Sequence, residues 1–317
     1  DEIGKNAFAK VAVYIKILFQ VFKQLLVFKP NLVYLAMTAK GIGFYKDVFI
    51  ALLLKSFGKR LVLHFHNKGI VERQDKPIDH ILYKWVFKNA KVILLSEYLY
   101  FDIKKYVKKE DVYYCANGIE SITQEHFGTE NNVVELLFLS NIIESKGVLV
   151  LLEALAILKK RKVAFHCNIV GGIGDVSEKT LIARLLELKL NAEVDYLGIR
   201  IGNEKHSVLS KADMFVHPTL NDCFPLVLLE ASKYKLPMVS TIEGAIPEII
   251  DENKTGFLVP KNNAGALAEK LEILIKDDQL RHKMGDLAFQ KYQREYTLKH
   301  FEDRLDSILK SVNSTLK

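Results

Sequence analysis

The residues best suited to do chemistry lie between His217 and Ser232, in the run HPTLNDCFPLVLLEAS. Met214–His217 reads as a strand that ends at a Pro–Thr turn. Pro225 suits the first turn of a helix, where a missing N–H costs nothing. The loop Thr219–Phe224 therefore stands at the carboxyl end of a strand and beside a helix N-terminus, a place where open α/β sheets bind ligands and phosphate is favoured. Asp222 and Glu230 bracket this helix start. Eight helical steps would set them roughly 12 Å apart. Two carboxylates so spaced can reach the two ends of a nucleoside diphosphate sugar, one at the sugar hydroxyls and one at the ribose diol.

The elements that must position them alternate along the chain. Strands are expected at Asn31–Leu35, Leu61–Phe65, Lys91–Leu95, Val112–Tyr114, Val134–Leu139, Ala164–Val170, Val194–Leu197, Met214–His217, Met238–Ser240 and Gly256–Val259. Helical patterns fall between them, among them Asp47–Phe57, Lys76–Phe87, Val148–Arg161, Glu178–Leu188 and Ala264–Ile275. This alternation implies parallel sheets covered on both faces. The polar stretch Glu120–Asn132 is the expected linker between two sheets, and Leu298–Val312 a final helix capped by Thr297. Ala7–Phe28 is a helix with Lys10, Lys16, Gln20, Lys23 and Gln24 on one arc and apolar residues elsewhere. It suits packing on a sheet, with in-plane contact with an anionic membrane as the alternative.

At 317 residues, with 49% hydrophobic and 26% charged residues, the chain has room for two ordered domains. A net charge of +7 favours anionic partners, but the basic residues are scattered, which argues against nucleic acid. Cys115, Cys167 and Cys223 are far apart and form no C-x-x-C pair, as expected of free thiols in a reducing compartment such as the cytoplasm. No secretory leader and no run of about 18 uncharged apolar residues is found, so no membrane-spanning helix is expected. There is no D-x-D for chelating a divalent metal and no G-x-x-x-x-G-K-[ST] loop. Val170–Gly174 (VGGIG) lacks the third glycine of a dinucleotide fingerprint, Ser177 standing there instead.

With Asp222, Glu230, the apolar string Leu226–Leu229 and the pair Glu230-Ala231, the run resembles the E-x7-E motif of retaining glycosyltransferases of the GT-B fold, family 4. Asp222 departs from the pattern by its shorter arm. Phe138–Gly147 (FLSNIIESKG) resembles the family segment that neutralises the donor diphosphate with an Arg and a Lys; Lys146 and Gly147 match, while Asn141 stands at the Arg position. Arg200 is a candidate to make good the missing cation. Arg60–Asn67 (RLVLHFHN) resembles the segment whose imidazole, here His66, borders the donor sugar. Asn117-Gly118-Ile119 resembles a family turn, and Gly244–Glu248 (GAIPE) and Thr255–Pro260 resemble the family's Gly-rich turn with Pro-Glu and the strand that follows it; structural roles are expected for the first and the last.

The resemblance implies an α/β GT-B architecture, two Rossmann-like domains with parallel sheets facing across a cleft. Residues 1–125 would form the acceptor-side domain, 126–297 the nucleotide-sugar domain, and 298–317 a helix returning to the first. It covers the chain from about Asn31, and the family's first strand and Gly-Gly loop are not in the sequence. It implies transfer of a sugar from a nucleotide diphosphate sugar to a hydroxyl of a saccharide or lipid-linked acceptor, with retention and without a metal or other cofactor. His66 and Asp222 would be catalytic, and Asn141, Lys146, Gly147, Phe224, Pro225, Leu226 and Glu230 would bind the donor. The setting would be cell-envelope polysaccharide or glycolipid synthesis, in the cytoplasm or peripherally at the inner face of the membrane. The alternatives are a non-hydrolysing sugar-nucleotide epimerase of the same fold and a nucleotide-sugar-binding protein impaired in catalysis.

Overall fold

The computed structural model describes residues 2–121 and 133–314. The linker expected at Glu120–Asn132 lies outside the described residues from position 122 onward, and so does the side chain of Lys10. The chain divides into two units, Asp1–Cys115 with Asp306–Lys317, and Ala116–Leu305.

The first unit runs α1 (Glu2–Phe28), β1 (Leu32–Met37), α2 (Gly41–Ser56), β2 (Arg60–Phe65), α3 (Pro77–Phe87), β3 (Lys91–Leu94) and β4 (Val112–Tyr114). Its strands pair in parallel in the order β1-β2-β3-β4. β2 is buried from Leu61 to Phe65, as a strand covered on both faces must be. Helix α1 differs from its expected sheet packing. It touches α2 through Phe22 and Phe57, whose ring centroids are 5.7 Å apart, and buries Leu25, but Val13, Ile15, Phe19 and Val27 are exposed. Its window Val11–Phe28 is also long and apolar enough, by length and composition, to cross a membrane. That corrects the expectation drawn from uncharged runs alone, since the window contains Lys16 and Lys23.

The second unit runs β5 (Val134–Leu139), α4 (Val148–Lys160), β6 (Phe165–Val170), α5 (Glu178–Glu187), β7 (Val194–Gly198), α6 (Gly202–Lys211), β8 (Met214–His217), α7 (Leu226–Lys233), β9 (Met238–Thr241), α8 (Ile246–Ile249), β10 (Gly256–Val259), α9 (Ala264–Lys276) and α10 (Asp278–Glu295). The last helix, α11 (Leu298–Ser314), starts here and ends in the first unit. Thr297 Oγ1 accepts from the His300 amide at 3.4 Å, the expected cap. The six strands are parallel in the order β10-β9-β8-β5-β6-β7. Val148, Leu151, Leu152, Leu155 and Leu158 of α4 pack with Leu136, Phe138 and Val216 of the sheet and Leu267 and Leu271 of α9 to form the core. From β5 the chain builds outward through β6 and β7, then returns to the other side of β5 as β8. The topological switch therefore falls between β5 and β8, and the loops leaving their carboxyl ends diverge there.

In the first unit His64 is fully buried on β2, with Tyr34 Oη 2.7 Å from its Nδ1. Burial, helped by His66, pushes its pKa from 6.5 down to about 3. The unfolded chain then binds a proton that the folded chain refuses until the pH nears 3, so stability is lost as pH falls through that window. Between about pH 7.5 and about pH 5 this site should cost the wild type up to roughly 2 kcal/mol that a His64→Phe variant does not lose. Urea denaturation midpoints at the two pH values measure it; equal pH dependence in both proteins would remove His64 as the source.

Candidate functional site

The loops after β5 and β8 are locked together before any side chain is considered. The Ser145 carbonyl receives the amides of Leu220 and Asn221 at 2.8 and 3.1 Å and the Thr219 hydroxyl at 3.1 Å. Gly147 follows the 3-10 turn Glu144–Lys146 with φ of 78°, and a Cβ there would stand 1.9 Å from the Pro218 carbonyl oxygen. Only glycine meets both demands. The Thr219 carbonyl in turn accepts from Thr241 Oγ1 at 2.6 Å, which ties the same loop to the end of β9.

This docking delivers Lys146 onto Asp222. Its Nζ lies 2.5 Å from Asp222 Oδ2, which also faces His217 Nε2 at 3.2 Å, while Oδ1 accepts the Cys223 amide at 3.0 Å. Burial raises the Asp222 carboxyl, but the His217 hydrogen bond and the Lys146 charge outweigh it and hold the group below its ordinary value. Burial likewise lowers His217 against the pull of Asp222, so the imidazole is neutral and its Nε2–H donates to the carboxylate. From the far side Gly244, at φ of 52°, comes so close that a Cβ would meet the Asp222 carbonyl oxygen at 2.5 Å. The Ala245 amide donates to the Cys223 carbonyl at 2.8 Å. Buried Glu243 accepts the Asp222 amide at 3.4 Å and Lys261 Nζ at 2.6 Å.

Helix α7 begins at Leu226, with Pro225 as the residue before its first turn. Asp222 therefore sits in the loop, and the expected eight-step helical span to Glu230 is corrected: only its second half is helix. Phe224 is buried, its ring edge-on to Tyr296 at 6.2 Å, and Pro225 is buried beside it, whereas Leu226 is exposed. Glu230, midway along α7, accepts Lys205 Nζ on Oε1 at 2.6 Å. Its other oxygen, Oε2, is buried with no hydrogen-bond partner. The carboxylate faces a cavity of about 460 Å³ lined by Lys205, His206, Lys233, Tyr234 and Glu120. There His206 Nδ1 meets the Tyr234 hydroxyl.

Lys146, Gly147 and Asp222 are thus brought together, with Pro225 at the head of α7 and Glu230 further along it. Asn141 is exposed in the loop after β5. Arg200, expected as a second cation, instead lies 3.3 Å from the carbonyl of Ile199 and 3.9 Å from Glu204. His66 belongs to the other unit, exposed just past β2 with its ring 4.1 Å from that of His64. The sequence assigned no role to Lys205, His217, Glu243 or Lys261. His217 stands at the strand end beside Asp222, and Glu243 adjoins the GAIPE turn; those positions were the available signals.

Two α/β units with wholly parallel sheets make this the GT-B fold. HepE from Anabaena, solved in complex with UDP, superposes with a TM-score of 0.78 at 18% identity, covering 95% of this chain and 82% of that one. The chain belongs to the family described as glycosyl transferases group 1, which matches residues 121–291, more than half its length. Relatives include the putative colanic acid biosynthesis glycosyltransferase WcaL of Escherichia coli K12, 30% identical over 187 residues, 56% of this chain and 45% of the relative. The amylovoran biosynthesis glycosyltransferase AmsK of Erwinia amylovora is 33% identical over 141 residues, 43% of this chain and 34% of the relative. The matched stretch spans less than half the length of either of these two relatives.

Gly147→Ala should cost about 3 kcal/mol or more, because a left-handed backbone and a carbonyl clash act together. Gly198→Ala, also at positive φ but with no atom near the new Cβ, should cost only about 1 kcal/mol. Chemical denaturation of the two variants measures the difference; equal costs would mean that the Pro218 contact does not constrain the loops.

Proposed function

We propose that the chain is a retaining glycosyltransferase. It moves a sugar from a nucleotide diphosphate sugar to a hydroxyl of a saccharide or lipid-linked acceptor, without a metal, in cell-envelope polysaccharide or glycolipid synthesis. The observation that carries this reading is the pair of carboxylates on either side of the start of α7: Asp222 beside Lys146, and Glu230, which lines the cavity and keeps one buried oxygen without a partner. Family membership supports it, and the names of WcaL and AmsK support the polysaccharide setting.

In this reading Glu230 accepts the ribose hydroxyls and Asp222 those of the donor sugar, with His66 at the sugar's border. Lys146 and the amides at the head of α7 hold the diphosphate where negative charge develops as the bond from C1 to its oxygen breaks. The acceptor oxygen bonds C1 on the face the diphosphate leaves, and its proton passes to a departing phosphate oxygen. No side-chain nucleophile is required. The reaction would take place at the cytoplasmic side of the membrane.

Thermal shift with UDP-, GDP- and ADP-sugars tests the donor site, and at least one should raise the melting temperature. Glu230→Ala should abolish that rise; stabilisation unchanged in the variant would take Glu230 out of the site. With the stabilising donor, turnover should persist in EDTA, and NMR of the product should show the donor's anomeric configuration; an inverted product would end the retaining reading. Asn141 favours one second reading, a binding protein without transfer, which predicts donor binding with neither transfer nor hydrolysis. Conversion of the donor to an epimer without acceptor would point to an epimerase.

A further inference from the structure

At each end of the site a lysine holds the place a ligand would take. Lys146 covers Asp222, and Lys205, from α6, covers Glu230 Oε1 at 2.6 Å. A ribose diol offers two hydroxyl donors, which a carboxylate accepts best with both oxygens. In Glu230, Oε2 stands ready, buried and without a partner, but Oε1 is shared with the ammonium. The Lys205 side chain is 31% exposed and ends a flexible four-carbon stem, so it can swing away. A dianionic diphosphate lies one methylene from the ribose, and the loop after β5 offers it Lys146 and the neutral Asn141. Arg200 is turned onto the Ile199 carbonyl and toward Glu204.

We propose that Lys205 is the second cation of the diphosphate site: when a nucleoside diphosphate enters, its ammonium leaves Glu230 to the ribose diol and moves to the phosphate oxygens. The exchange leaves Lys205 paired with an anion before and after, and leaves Glu230 hydrogen-bonded in both states. Glu230 trades an ion pair for two hydroxyl hydrogen bonds, and Lys205 trades a carboxylate for a phosphate. Lys233, in the same cavity, lies over the Tyr234 ring at 5.9 Å and serves as the control. This inference rests on the donor-site reading above.

Calorimetric titration of the chain with UDP, GDP and ADP, and with uridine, guanosine and adenosine, separates the two. Lys205→Met should weaken the bound diphosphate about tenfold or more, the size of one lost charged hydrogen bond. It should leave the matching nucleoside unchanged or tighter, and the diphosphate affinity should become less sensitive to salt. Lys205→Arg should keep most of the diphosphate affinity, and Lys233→Met should show no such split. Equal weakening of diphosphate and nucleoside by Lys205→Met would overturn the proposal, leaving Lys205 as a brace for Glu230. A tighter diphosphate would overturn it too, since Lys205 would then be only a competitor that the donor evicts. If wild type binds none of the three diphosphates, the donor-site reading itself falls, and this inference with it.

Discussion

The Ser145 carbonyl and the missing side chain of Gly147 set the geometry on which the rest of the site depends. Two loops leave neighbouring strands at the point where the sheet's winding reverses, and without a tie their ends would wander apart. Three donors from residues 219–221 converge on one carbonyl, and Gly147 lets the Pro218 carbonyl approach where any Cβ would collide. Lys146 and Asp222 meet because their backbones are fixed first. The charges then reinforce a contact that the loops already impose.

The same order holds on the other side of Asp222. Gly244 and Glu243 press against the Asp222–Cys223 backbone, and Lys261 fixes Glu243. With its amide and both carboxylate oxygens engaged, Asp222 has little freedom left. Its neighbour His217 is neutral and buried, so it can donate to the carboxylate without adding a second positive charge next to Lys146. Glu230 is held less completely. One oxygen is paired and the other is buried without a partner, which is the asymmetry expected of a group awaiting one.

Strands were the most legible part of the sequence. Runs such as Val134–Leu139 and Met238–Ser240 are mostly apolar because both faces of their sheet are covered, and each proved to be a strand within a residue or so. Helices α6 and α10 were harder to see, since GNEKHSVLSK and the lysine- and arginine-rich run after Asp278 show no wide apolar face. Lys205 sits in the first of these and looks like any solvated lysine. Glu243 reads as a surface acid, but it is buried and pairs with Lys261, 18 positions away. The carboxylate spacing does not translate into a helical rise, because Asp222 lies before the helix and not on it. Helix α1 shows the opposite limit: its pattern is plain, yet the structure leaves most of its apolar residues in the open.

The ties among the loops after β5, β8, β9 and β10 bear on how such a site can change. Loops on an α/β scaffold are usually the parts free to lengthen, shorten and acquire new substrates. Here an insertion beside Lys261 would be felt at Glu243 and then at Asp222, so loop length is a poor variable. Helix α6 brings Lys205 and His206 to the cavity, and among the described residues no backbone tie like the one at Ser145 holds them there. Divergence in ligand preference would therefore proceed by exchanging residues on that helix, leaving the glycine-locked edge of the sheet unchanged.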